Sequence, residues 1–441
     1  MPDITQLTSV LSLNKPTISI INGRVIDPQN HLDQDLDIHI QHGKIIALGT
    51  APADFQADQI IDAKAQIVCP GLIDLRFRLR EPGYETKGTI ASETRAAVAG
   101  GVTSLCCPPD TNPIIDNAAI VKLIRLKAET EGVAKIYTLS ALTQQLQGEK
   151  LSEMRELKDA GCVGTTNALH PVKNTLVMRR ALEYASSHDI TVFIQAFDPW
   201  LSGGCAHEGA VSTRLGLAGI PVSAETIAIA RDLQLIELSG VKAHFCQLSS
   251  AKAVQLIQQA QEDGLPVSAD VTAHHLHLTE MDIADFNSDC HVIPPLRTQR
   301  DQEALRQGLV SGVISNIVSD HQPHGSDAKL APFAETEAGI SGVETLLSLA
   351  LKMVDEQGMS LSEVIATLTS KPANILNLPE GTLSIGSDAD VCIFDPNAYW
   401  LVDRDKLLSQ GKNTPFHSWE LKGEVTHTLK SGEVVFSKAK E

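Results

Sequence analysis

Eight apolar runs of β-type composition, at residues 68–79, 103–109, 134–141, 161–167, 190–197, 241–250, 266–276 and 314–324, constrain this chain more than any other feature of its sequence. Stretches with apolar residues at helical spacing, such as 174–188 and 250–264, lie between many of them. Strands that alternate with helices pair in parallel, because a crossover helix returns the chain to the same end of the sheet. Eight such units predict a (β/α)8 TIM barrel, an α/β fold whose chemistry sits at the carboxyl ends of the strands. A hydrophobic content of 43% with only 4% aromatic residues suits the aliphatic core such a barrel needs.

The barrel pattern does not account for the two ends of the chain. Residues 16–65 alternate short β-like segments with turn signals at Asp27-Pro28-Gln29-Asn30 and His42-Gly43, and the same pattern returns after Asn377. The expectation is a small composite β-sandwich sub-domain from residues 1–65 and 377–441, with the barrel at 66–376 inserted and the termini close together. Charge narrows the partners. Asp and Glu number 54 against 36 Lys and Arg, a net charge of -18, which argues against nucleic acid or an anionic membrane surface and leaves a protein or a small molecule. The first fifteen residues lack the basic start and continuous apolar stretch of a signal peptide, and no segment is a membrane span. The eight cysteines include no C-x-x-C pair and several sit in apolar runs, the usage of reduced thiols in a cytoplasmic protein.

Six segments carry more specific information: PGLIDLRFRLREPG from Pro70, PPDTNPIID from Pro108, HEGAVSTRLGLAGIP from His207, VTAHHLHLTE from Val271, IPPLRTQRD from Ile293 and IVSDHQPH from Ile317. In this order and at these spacings they resemble the type I dihydroorotases, metal-dependent cyclic amidohydrolases of the amidohydrolase superfamily. The likeness runs from about residue 16 to about residue 435. In active relatives, histidines and carboxylates hold zinc, which lowers the pKa of a water that attacks a ring amide.

The resemblance places the family's His-x-His pair on Arg76 and Arg78, whose permanently charged guanidiniums have no lone pair for a metal. The strand-four carboxylate falls on Asn167 or Ala168, the strand-five histidine on Gln195 and the strand-six histidine on Gln247. Glutamine keeps polarity, but its amide oxygen is a poor zinc donor. Asp320 alone matches, as a relict general base. In the substrate pocket Arg80 and His324 match family residues, whereas Asp110 and Ile293 each replace an asparagine.

The residues can also be read without the family. Side chains at i and i+2 of a strand share a face, which places Asp74, Arg76, Arg78 and Arg80 together on the barrel interior. Buried guanidiniums require anions. Asp320 and Asp74 are the first candidates, with Asp110 and Glu93 behind them, so the expectation is a fixed ion-pair cluster where relatives hold metal. His274, His275 and His277 read as core or hydrogen-bonding histidines and His207 as a loop-ordering one. A metal site built from Cys107 and Cys246 with Asp320 is a weaker alternative that no paired spacing supports.

Taken together, the resemblance implies a catalytically inactive dihydroorotase-like pseudoenzyme without metal or other cofactor. It would be a non-catalytic subunit supporting the aspartate carbamoyltransferase catalytic chain in pyrimidine biosynthesis, as a homo-oligomer (dimer) or within a hetero-oligomer. Two alternatives stand beside it. One is a working zinc-dependent cyclic amidohydrolase with an atypical metal site. The other is an anion or metabolite sensor using Arg76, Arg78 and Arg80.

Overall fold

A computed structural model describes residues 15–438. Apart from Lys15, the segment read above for a leader signal lies outside the described residues. The eight expected runs form eight parallel strands, labelled here β1 (Leu72–Asp74), β2 (Val102–Cys107), β3 (Lys135–Ala141), β4 (Gly164–Thr166), β5 (Val192–Gln195), β6 (Ala243–Cys246), β7 (Val267–Thr272) and β8 (Asn316–Val318). They are hydrogen-bonded in sequence order, β1 through β8. The ring closes just beyond the strand ends, where Phe77 and His321 form a parallel bridge and the Arg78 N–H donates to the His321 carbonyl at 2.9 Å.

Local sequence explains why the intervening segments are helices. Asn117, Asn174 and Ser250 each accept backbone N–H bonds at a helix start, and Thr89 with Ser92 and Thr298 with Asp301 form capping boxes. Helix Thr175–Ser187 buries Met178, Ala181, Leu182 and Ala185, the spacing that presents one apolar stripe to the barrel. None of the helices among the described residues is long and apolar enough to cross a membrane.

The chain ends build two further sheets. Lys44–Leu48, Ile38–Gln41, Ile18–Ile21 and Gln59–Asp62 form one, in that order. Glu433–Ser437, Glu420–Lys430, Val391–Leu401, Ile67–Pro70, Arg24–Asp27 and Leu32–Asp35 form the other. Ile18, Ile20, Ile38 and Ile40 from the first pack with Val25, Val68, Val391 and Leu429 from the second, a sandwich core separate from that of the barrel. The run expected at 68–79 is therefore divided: Ile67–Pro70 belongs to the sandwich and only Leu72–Asp74 to the barrel. Gly71 makes the crossing. A Cβ there would lie 2.1 Å from Thr103 Oγ1, so no larger residue fits between the two sheets.

The barrel lumen is filled by Ile73, Leu75, Cys106, Leu139, Phe193, Cys246 and Val318, with Ala373 and Leu376 packed against them. Residues from six different strands or their continuations can meet in one cluster only inside the ring. Asp74, between Ile73 and Leu75, consequently points outward.

Candidate functional site

The alternation that should have carried Asp74 to the interior breaks immediately after it. The Asp74 carboxylate accepts the Arg76 N–H at 3.2 Å, and the chain turns so that Arg76 and Arg78 face inward while Phe77 joins the outer core against His321. Asp74 accepts from the Ser319 hydroxyl and, at 3.2 Å, from its N–H. Burial pushes its carboxyl up to about 7, with the nearby Asp320 charge adding to the effect against these hydrogen bonds. The expectation that Asp74 would partner an arginine is thus corrected, because the local turn put it on the opposite face. Glu93 is likewise engaged elsewhere, with His321 Nε2 at 2.7 Å and the Ser409 hydroxyl at 2.7 Å.

The anions that do meet the arginines are Asp320 and Asp110. Asp320 Oδ1 lies 3.5 Å from Arg76 Nε and 3.3 Å from Arg78 Nη1, and its Oδ2 accepts from the Gln322 amide at 2.8 Å. Arg78 Nε donates to Asp110 Oδ2 at 2.8 Å. Burial would raise the Asp110 carboxyl, but Arg78 and Arg76 outweigh it and hold the group below its usual range. Arg76, Arg78 and Asp320 are all buried, so these contacts are barely screened. Arg80 points the other way along the mouth, donating from Nε to the Pro323 carbonyl at 2.9 Å and from Nη2 to His324 Nε2 at 3.0 Å. His324 Nε2 also lies 3.0 Å from the Ala338 carbonyl, and its Nδ1 faces Glu337 at 3.1 Å. Burial and the Arg78 charge pull Arg80 down to about 10.

The remaining positions are distributed around the same rim. Asn167 is a fully used structural amide: its oxygen accepts from the Thr143 hydroxyl at 2.7 Å and N–H at 3.2 Å, and its nitrogen donates to the Leu146 and His170 carbonyls. Ala168 is left-handed, as are Arg80, Gln247 and Asp320. Such backbone costs non-glycine residues about 1–3 kcal/mol each and clusters at functional strand ends. Gln195 pairs in register with Cys246, the residue before Gln247. Ile293 does not line this rim but packs beside Phe197, Ile220 and Ala224 in a small apolar cluster.

Several polar atoms here are buried without a hydrogen-bond partner among the described residues: Arg76 Nε, Nη1 and Nη2, Arg78 Nη2, Gln195 Oε1, both amide atoms of Gln247 and His274 Nε2. Among the described residues Arg76 thus keeps its 3.5 Å ion contact, too long and misdirected to count as a hydrogen bond, and lies beside the Cys246 thiol. An unmade bond at a buried polar group costs about 1–3 kcal/mol.

Below the rim is a polar chain that sequence reasoning missed. His244 contacts Ser268 through Nδ1 at 2.8 Å and Asp270 through Nε2 at 2.9 Å, and Asp270 accepts the Gln247 N–H at 2.6 Å. The available signal was a pair of polar residues at period two in strands six and seven. His244, Cys246 and Asp270 offer donor atoms within 4.8 Å of one another, the one such grouping among the described residues. Cys107 is not part of it; its thiol faces the Pro108 carbonyl at 3.4 Å. The grouping suits a metal poorly, since both His244 nitrogens are engaged and the Arg76 guanidinium lies beside Cys246, whose thiol burial pushes up. At the rim the arginines and amides do not fit a zinc ion either. Of the three histidines in the VTAHHLHLTE segment, His275 bonds to Thr272 at 2.6 Å and His277 to the Leu349 carbonyl at 2.8 Å, while His274 packs its ring against His275 with centroids 4.8 Å apart. His207 accepts from the buried Arg297 at 3.0 Å, tying its loop down.

A closed parallel barrel flanked by a two-sheet β-sandwich, with its polar residues gathered at the strand carboxyl ends, defines the amidohydrolase class of fold. An L-hydantoinase (dihydropyrimidinase) from Arthrobacter aurescens superposes with a TM-score of 0.87 over 96% of each chain at 24% identity. A D-hydantoinase gives 0.84 over 96% of this chain and 95% of its own at 23% identity. At such identities the likeness is one of fold. Residues 65–253 match the family described as dihydro-orotase-like, and residues 321–436 match the amidohydrolase family. A Pseudomonas aeruginosa protein named dihydroorotase-like protein is 50% identical over 419 residues, covering 95% of this chain and 99% of its own. Its Pseudomonas putida counterpart is 51% identical over the same span. A dihydroorotase of Syntrophus aciditrophicus is 43% identical over 421 residues, again 95% of this chain and 99% of its own. The chain belongs to the dihydroorotase-like family of amidohydrolases.

Proposed function

We propose that this chain is a non-catalytic member of its family, a dihydroorotase-like subunit that supports aspartate carbamoyltransferase in de novo pyrimidine biosynthesis. The observation that carries the reading is the engagement of Asp320. A general base needs a free lone pair and a nearby water to deprotonate. Here one oxygen is held between two guanidiniums at 3.3 and 3.5 Å and the other by the Gln322 amide. The positions that would supply a metal to activate that water carry arginines, glutamines, an amide spent on four hydrogen bonds, and alanine. What is retained is the frame: eight strands, a closed ring and a packed sandwich. A fold kept without its reactive centre is consistent with a role in assembly, and the transferase follows from the resemblance of the chain to inactive homologues of that kind.

The test is co-expression with the transferase catalytic chain. Co-purification of the two, and carbamoyl aspartate formation that rises when this protein is present, is the expected outcome. Stoichiometric zinc together with dihydroorotate hydrolysis by the isolated chain would instead establish an active amidohydrolase.

A further inference from the structure

We propose that the outer part of strand Val391–Leu401 is a dimerisation edge, on which a second copy of this chain adds its own Ala398–Leu401 as an antiparallel strand about a two-fold axis. The strand is eleven residues long and is not covered evenly. On one side Glu420–Lys430 pairs with it to the end, setting Tyr399 opposite Lys422, Trp400 opposite Leu421 and Leu401 opposite Glu420. On the other side Ile67–Pro70 pairs with it only from Val391 to Phe394. Beyond Phe394 no strand lies on that side among the described residues. An open edge is a template for another strand, and natural edges are blunted by charge or proline. Ala398-Tyr399-Trp400-Leu401 carries neither, and Tyr399 and Leu401 are 62% and 61% exposed.

The phase of the backbone identifies the groups on offer. The Val402 N–H donates to the Trp419 carbonyl at 2.9 Å, and the Val402 carbonyl accepts from the Ser418 N–H at 2.8 Å. Successive residues of an antiparallel strand turn these groups to opposite sides. Trp400 therefore directs its own toward Glu420–Lys430, as Val402 does, and Tyr399 and Leu401 direct theirs to the open edge. The side chains divide in the same way. The Trp400 indole N–H is taken inward by the Ser348 hydroxyl at 3.0 Å, while Tyr399 and Leu401 project together from the opposite face.

The occupant follows from self-complementarity, which an interface about a two-fold axis requires. An axis through Trp400 sets Tyr399 opposite the partner's Leu401 and Leu401 opposite the partner's Tyr399. These are the residues whose N–H and carbonyl groups face outward, so both pairs close main-chain hydrogen bonds, and each sets an aromatic ring against an aliphatic side chain. The same register puts Ala398 opposite Val402 and Asn397 opposite Asp403, so no like charges meet across the ladder. Each row across the joined sheets then reads Lys422, Tyr399, the partner's Leu401 and the partner's Glu420, with a cation at one end and an anion at the other. The neighbouring row runs the opposite way. Leu408, 49% exposed, and the cleft of about 490 Å³ that it lines with Tyr399, Leu401 and Phe436 extend the apolar surface beyond the strand. Such a dimer needs no transferase, so its presence is decided on the isolated chain.

Sedimentation velocity of the isolated chain over a wide range of concentration tests the proposal, with a monomer–dimer equilibrium expected for the wild type. Changing Tyr399→Lys together with Leu401→Lys sets lysine against lysine in both pairs and should weaken the dimer about tenfold or more. Tyr399→Lys together with Leu401→Glu sets lysine against glutamate in both pairs and should recover most of that loss. Both positions are largely exposed, so neither double variant alters the packed core. A wild-type chain that stays monomeric overturns the proposal, whether or not it binds the transferase. So does a dimer that the two lysines leave unchanged, or one that both double variants weaken equally, since the register would then be wrong.

Discussion

Replacing Asp320 with alanine should destabilise the fold by about 3–5 kcal/mol, the usual cost of removing one member of a buried ion pair. Asp320 Oδ1 serves two guanidiniums, at 3.5 Å to Arg76 Nε and 3.3 Å to Arg78 Nη1. At an effective dielectric constant near 20, each contact is worth roughly 5 kcal/mol of Coulomb attraction, most of it offset by desolvation. The loss falls unequally. Arg78 keeps Asp110 at 2.8 Å, whereas Arg76 loses the one ion pair it makes among the described residues. Urea titration followed by tryptophan fluorescence gives the stability difference. Asp110→Ala is the comparison: its side chain is 19% exposed and Arg78 would retain Asp320, so a smaller loss of about 1–3 kcal/mol is expected. Combining Asp320→Ala with Arg76→Met should cost less than the sum of the two changes, by about 1–3 kcal/mol. An unchanged midpoint in Asp320→Ala, or strictly additive losses in the double variant, would refute the idea that these charges stabilise one another.

Three further outcomes are expected. Asp74 titrates at about 7 in the folded chain, far above an unfolded aspartate, so the folded state holds a proton that the unfolded chain has released. Stability should therefore fall as pH rises from about 5 to 8, by up to about 3 kcal/mol more in the wild type than in Asp74→Asn; parallel curves for the two proteins would show that Asp74 is not the source. Elemental analysis of protein purified without chelator should find no near-stoichiometric zinc, and a full zinc complement that disappears in Asp320→Ala would contradict the reading of the rim. Restoring Arg76 and Arg78 to histidine together should leave dihydroorotate hydrolysis near background with added zinc, because Gln195, Gln247, Asn167 and Ala168 still withhold donors and misplacement alone costs about a hundredfold. Turnover within an order of magnitude of an active dihydroorotase would show the site to be more competent than its side chains suggest.

The fold was largely legible because it rests on patterns that survive without tertiary knowledge. Runs such as ITVFIQAF and TSLCCPP are apolar on both faces, as strands covered inside and out must be, and each became a barrel strand. The ion-pair cluster was legible for a different reason: guanidiniums on a buried strand end demand anions, and IVSDHQPH supplies one opposite. The error lay at Asp74. Period-two reasoning assumes an unbroken strand, but the carboxylate folds back onto the Arg76 N–H and resets the phase, a local event that composition does not reveal. Glu93 was misplaced because its partner His321 lies 228 positions away in sequence. The His244, Ser268 and Asp270 chain was overlooked because a histidine in an apolar strand carries no mark of the strand that will lie beside it.

The arginines and Asp320 lie on either side of the seam where the last strand meets the first. β1 and β8 are three residues long, and beyond them the ring is joined by the Phe77–His321 bridge. Arg76 and Arg78 from one lip and Asp320 from the other fasten that joint with groups encoded in the chain itself. A ring bolted by a dissociable ion can be opened by a chelator or by scarcity of the ion. Arginines at this clasp offer such an ion no lone pair, and because the charges are buried, salt reaches them weakly as well. Its closure depends on the integrity of three side chains, so the barrel should stay shut under metal starvation.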